Sequence, residues 1–197
     1  MKSRFSKRIF TAKSFIAELA FVIWHLPKII YIFVSKKSPK HLLEKIVIVT
    51  DAVNGCIYCS WMDAKLAIKN GMSEDEVNGM LNLQFHTHVT DYDRVALLFA
   101  QHYAETSGHP DKEMAEKLNQ VYGDKTASNI MLAIKAVTFG NMYFNTWLAA
   151  ISRFQGRPAP NSSIVFEVAY ILINFIIIVP VMILRKLDRN AIGISPG

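Results

Sequence analysis

The chain of 197 residues has only two cysteines, too few for a disulfide framework. They stand three residues apart, so a bond between them closes a very small loop and adds little chain-entropy stabilisation. No strong strand-period alternation and no internal repeat appear, which leaves a body of helices. Charge is scarce, at 19% of residues against 51% hydrophobic. That balance is greasier than an ordinary soluble domain, and some apolar surface is expected to meet lipid. Acid is rarest at the start, where residues 1–40 carry nine Lys/Arg and the single acid Glu18. Residues 41–150 are net acidic at −5, the remainder is net basic at +3, and the whole chain carries +6. A nucleic-acid binder concentrates basic residues on its folded body. Here the body is acidic and the flanks basic, so no nucleic-acid partner is expected and anionic lipid head groups are the better match.

The apolar flanks define three regions. Residues 156–197 form a linker and a C-terminal membrane helix with a basic end. Their core, residues 164–184, is interrupted only by Glu167, Asn174 and Pro180, and a helix of that length covers about 31 Å, close to the thickness of a bilayer core. Arg185, Lys186 and Arg189 favour a cytoplasmic end. A single span would then put the acidic body outside, whereas a shallow or re-entrant segment kinked at Pro180 keeps the redox domain at the cytoplasmic face, the expected location. Residues 1–37 form a basic, apolar N-terminal region. With Lys28 near its middle, the apolar run from Ser14 to Val34 suits a membrane-surface helix, or two short helices broken before Pro27, better than a span. No small-residue cleavage site follows it, which argues against a signal peptide.

Residues 38–155 form the helical domain. Ser38-Pro39 reads as a helix start, and Leu42, Ile46, Val49 and Val53 then make an apolar stripe. Asn54-Gly55 ends that helix, Asn70-Gly71 ends the next, and Ser73 to Glu76 has the form of a capping box. Further helices are expected over about 90–107, 111–122 and 124–151, with a turn at Ser107 to Asp111. On a helix beginning near Cys56, the rotation per residue puts Cys56, Cys59 and Asp63 on one face. The pair sits at a helix N-terminus, where unpaired amides favour thiolate. If the preceding helix folds back antiparallel, Glu44 can approach this face, although spacing alone favours an ordinary solvated glutamate.

The pattern of Glu44, Cys56, Cys59 and a polar group four positions later resembles the alkyl hydroperoxidase D-like, carboxymuconolactone decarboxylase family. The likeness extends through "DYDRVALLFAQHYAETSGHPD" and "GNMYFNTWLAAISR", about residues 25–155. The resemblance implies an all-α multi-helix bundle that assembles as a homo-oligomer and needs no cofactor. By matching position, Cys59 attacks a hydroperoxide and Cys56 resolves the sulfenic acid to a disulfide. Glu44 belongs to a proton relay, and a dithiol or lipoyl reductant restores the pair. The relay's usual histidine falls at Asp63. Histidine donates and accepts near neutral pH, whereas an ionised aspartate only accepts, so a proton shared between Glu44 and Asp63 is the expected remedy. With a membrane anchor, lipid hydroperoxides are the expected substrates.

Other readings compete. His86 and His88 could complete a zinc site with the cysteines, although a helical dithiol suits redox work better. His102 is expected to cap or line a helix interface. Asn141, Asn145 and Thr146 are read as structural hydrogen-bonding residues. Lactone decarboxylation does not rely on a cysteine pair. A scaffold, or a dithiol exchange protein without peroxide turnover, remains the alternative function.

Overall fold

The computed structural model describes residues 7–35, 38–85, 89–160 and 162–174. Every regular element among them is a helix: α1 (Ala12–Val34), α2 (Lys40–Asn54), α3 (Ile57–Lys69), α4 (Glu74–Leu81), α5 (Asp91–Glu105), α6 (Lys112–Phe154) and α7 (Ile164–Asn174). The all-α expectation holds, and the helix ends fall where the turn residues put them. Gly55 closes α2 at φ 66° in the left-handed region, where a side chain would be strained. Ser73 and Glu76 form the capping box of α4. Gly123, at φ 71°, breaks α6 between its two segments. The start of α2 differs from the reading above: Pro39 occupies the cap position and no side chain caps the helix.

α2 is the central element, packed against α3, α4, α5 and α6. Its stripe residues Leu42, Ile46 and Val49 are buried with Leu97, Phe99 and Ile134 in the main core. Lys45 is buried as well and points its ammonium at Asp93 (3.1 Å) and Glu76 (3.7 Å), tying α2 to α5 and α4.

α1 is continuous through Pro27 rather than broken before it. Proline removes one helical hydrogen bond, but residues on both sides are held by α6. Ile29 and Ile32 pack on Leu132 and Ala133, and Phe15 meets Phe139 and Tyr170. Lys135 reaches Glu18 at 3.8 Å and lies 3.7 Å over the Phe21 ring. The opposite face of α1, including Ile23, Trp24, Ile30 and Val34, is exposed. Among the described residues, α1 is the helix long and apolar enough, by length and composition, to cross a membrane.

α7 covers the start of the C-terminal apolar run; Pro180 and the basic end lie outside the described residues. Two of the run's polar interruptions have partners on α6. Glu167 is buried and accepts from Arg153 Nε at 2.5 Å. Asn174 accepts from the Tyr143 hydroxyl. His102 closes the turn before α6, its Nε2 accepting the Asp111 backbone N–H at 3.1 Å.

Because Ile46 is fully buried beneath the helix that positions the site, Ile46→Ala is expected to cost about 3 kcal/mol of stability, read as a lower denaturant midpoint with little change in helical circular dichroism at rest.

Candidate functional site

α2 and α3 form an antiparallel hairpin about Gly55, and its register decides which side chains meet. Asp51 lies opposite Asp63, and Glu44, seven residues back on α2, lies opposite Asn70, seven residues on along α3. A pocket of about 350 Å³ opens between this hairpin and α6. The pattern lining it is helical on every wall. α2 contributes Glu44, Val47 and Asp51; α3 contributes Cys59, Asp63 and Asn70; α6 contributes Val137, Asn141 and Phe144. Spacings of three, four and seven residues are those of single helix faces.

Cys56 and Cys59 are joined by a disulfide. Cys56 caps the N-terminus of α3, its sulfur accepting the Cys59 backbone N–H at 3.4 Å. Cys56 is wholly buried, whereas Cys59 borders the pocket. The two sulfurs are therefore inequivalent: a molecule in the pocket meets Cys59.

All four residues singled out by sequence gather here, but with a different pairing from the one expected. Glu44 shares the pocket wall with Cys59, yet its Oε1 is held by Asn70 Nδ2 at 2.6 Å. No hydrogen bond reaches its buried Oε2, which lies 3.6 Å from His41 Nδ1. The carboxyl partner of Asp63 is Asp51. Sequence reading passed over Asp51, although its position two turns after Glu44 places it on the same helix face. That spacing was the available signal.

Asp51 ends a buried chain of donors. Arg8 Nη1 donates to Asn54 Oδ1 (2.7 Å), Asn54 Nδ2 to Asn141 Oδ1 (2.9 Å), and Asn141 Nδ2 to Asp51 Oδ1 (2.7 Å). Asp51 Oδ2 receives no donor. A proton on this acid turns it into the donor toward Asp63, and the chain then runs in one direction from Arg8 to the pocket. Burial is the main cause pushing the Asp51 carboxyl up to about 9, with Asp63 adding to the rise and the Asn141 bond opposing it. Burial also raises Asp63, while the bond from Asp51 pulls it back. At neutral pH the pair therefore holds one proton, mainly on Asp51. Asn145 supports the corner, its Nδ2 donating to the Asn54 carbonyl at 3.0 Å.

Among the described residues, no group of three or more His, Cys, Asp or Glu side chains is placed to hold a metal ion. His86 and His88 lie outside the described residues.

The raised Asp51 carboxyl fixes the sign of a pH effect. Between its ordinary 3.8 and about 9 the native state binds more protons than the unfolded chain, so stability is greatest below that interval and falls as pH rises through it. Asp51→Asn, which keeps the shape and stays neutral, is expected to flatten the profile and to melt higher than wild type near the alkaline end. Thermal melts across the interval check this, and a wild-type profile with no decline contradicts it. No family model and no curated protein matches this chain.

Proposed function

We propose that the protein is a membrane-attached thiol–disulfide oxidoreductase that reduces hydroperoxides through Cys59 and Cys56. The observation that carries the reading is a disulfide between Cys56 and Cys59 with Cys59 on the wall of a largely apolar pocket, beside the paired carboxyls of Asp51 and Asp63. The resemblance to the alkyl hydroperoxidase D-like family supports the same direction, including assembly as a homo-oligomer. The basic flanks support an attachment with the redox domain at the cytoplasmic face.

In the reduced protein, Asp63, one helical turn after Cys59, accepts the thiol proton; its burial makes it a stronger base than an exposed aspartate. The thiolate attacks the terminal oxygen of the hydroperoxide, the O–O bond breaks, and Cys59 becomes sulfenic acid. The leaving alkoxide takes a proton from the Asp51–Asp63 pair and departs as the alcohol. Cys56 then attacks the Cys59 sulfur, forming the disulfide and releasing water. Two thiols and one hydroperoxide thus give one disulfide, one alcohol and one water. A dithiol or lipoyl reductant returns two electrons and two protons. Glu44 stands farther along the pocket as a second acid on the proton path.

Dithiol exchange without peroxide turnover is the second reading, and Asp63 favours it because it stands where the resembled peroxidase relay has a histidine, which both donates and accepts near neutral pH. One experiment separates the two. The reduced wild type is expected to consume cumene hydroperoxide and gain one disulfide per turnover. Cys59→Ser abolishes this, and Asp63→Asn lowers the rate by about 100-fold. Asp63→His retains turnover with a shifted pH profile. Equal rates in wild type, Asp63→His and Cys59→Ser overturn the peroxidase reading, and reduction by dithiols without peroxide consumption selects the exchange reading.

A further inference from the structure

The outer surface of α3 has no role in the chemistry above, yet it is the most apolar solvent-facing part of the helical body. At about 100° per residue, Ile57, Tyr58, Trp61, Met62, Leu66 and Ile68 share one continuous arc and are each between 40% and 62% exposed. The arc also carries Lys65 and Lys69 and contains no acid. Lys65 Nζ sits 4.1 Å over the Trp61 ring. An aromatic and aliphatic face bearing only lysine charges has the chemistry of a helix lying at a lipid–water boundary, where amphipathic side chains reach outward with their charged ends.

The arc leads directly into the redox pocket. Met62 and Leu66, at its edge, line that pocket, and Cys59 and Asp63 follow next around the helix. Across the mouth stands Phe33, 39% exposed, which also lines the pocket and belongs to the membrane-length helix α1. The exposed faces of α1 and α3 therefore border the same opening. Lys40, another pocket-lining residue, is exposed.

We infer that α3 docks on an anionic bilayer, so that the redox pocket opens toward lipid and receives its substrate from the acyl region. Face-to-face pairing of two α3 arcs is a poorer fit, because it would oppose lysines with no acid on the arc to pair with them. The substrate class, a phospholipid or fatty-acid hydroperoxide, rests on the hydroperoxide reading above; the docking does not. The inner wall sets which end enters. Glu44 and Asp63 repel an anionic head, so the neutral hydroperoxide-bearing chain goes in while the head stays near Lys40.

The test uses the full chain with Trp24→Phe and Trp147→Phe, leaving Trp61 as the reporter. With phosphatidylcholine–phosphatidylglycerol vesicles carrying brominated acyl chains, Trp61 emission is expected to lose most of its intensity relative to unbrominated vesicles. Co-sedimentation with vesicles and no quenching of Trp61 overturns the docking, as does a concentration-dependent dimer that shields Trp61 from lipid. In a second arm, Trp61→Glu with Ile68→Glu is expected to slow oxidation of the dithiol by vesicle-borne phospholipid hydroperoxide about tenfold. The rate with cumene hydroperoxide in buffer should stay unchanged. No loss, or equal loss on both substrates, overturns the lipid-side access. If no hydroperoxide oxidises the dithiol, the peroxidase reading fails and the quenching arm alone decides the docking.

Discussion

Two aspartates facing each other in a buried corner cannot both be ionised, and the site is built around that constraint. Asp51 and Asp63 come from opposite strokes of a helical hairpin, so closing the hairpin forces the pair to keep a proton. The donors behind Asp51 make the arrangement directional. Arg8, Asn54 and Asn141 each pass a hydrogen bond inward, and each asparagine amide has its carbonyl committed to the residue before it. The burial that makes an isolated carboxylate costly here favours the protonated form of Asp51, beside Asp63, which lies one helical turn from Cys59. A histidine gives and takes a proton with one side chain; in the proposed cycle the two aspartates would share that task.

The scaffold holds that corner from three sides. α2 supplies the acid from a helix buried on most of its circumference, so Asp51 has little freedom to turn toward water. α6 supplies Asn141 and the apolar wall. The segment before α1 supplies Arg8, whose guanidinium also donates to the carbonyls of Ala104 and Glu105 at the end of α5. An N-terminal region whose charge reads as lipid-directed thus also contributes an internal hydrogen bond. The segment that leads into the membrane-length helix α1 reaches the hydrogen-bond chain behind Asp51.

What could be read from the sequence was mostly local. Gly55, the Ser73 capping box and the turn before α6 follow from residues within four positions of one another. Helical rotation suffices to put Cys56, Cys59 and Asp63 on one face, whereas Glu44 comes to the site through the family resemblance and not through spacing. The missed features are all long-range. Asp51 stands near the end of α2 with no local signal beyond its spacing from Glu44, and its hydrogen-bond partner Asn141 is ninety residues away. Glu167 looked like a blemish in a lipid-facing run, and its partner Arg153 lies on another helix. Pro27 suggested a break, but packing against α6 on both sides outweighs the missing hydrogen bond. In each case the deciding neighbour is set by tertiary packing, which spacing along one helix does not encode.

The unequal burial of the two sulfurs has a kinetic consequence. With Cys56 sealed and Cys59 on the pocket wall, the agent that oxidises the pair and the agent that regenerates it must use one doorway in turn. In the hydroperoxide cycle proposed above, that shared doorway would make turnover ping-pong, with an excess of either reactant obstructing the other.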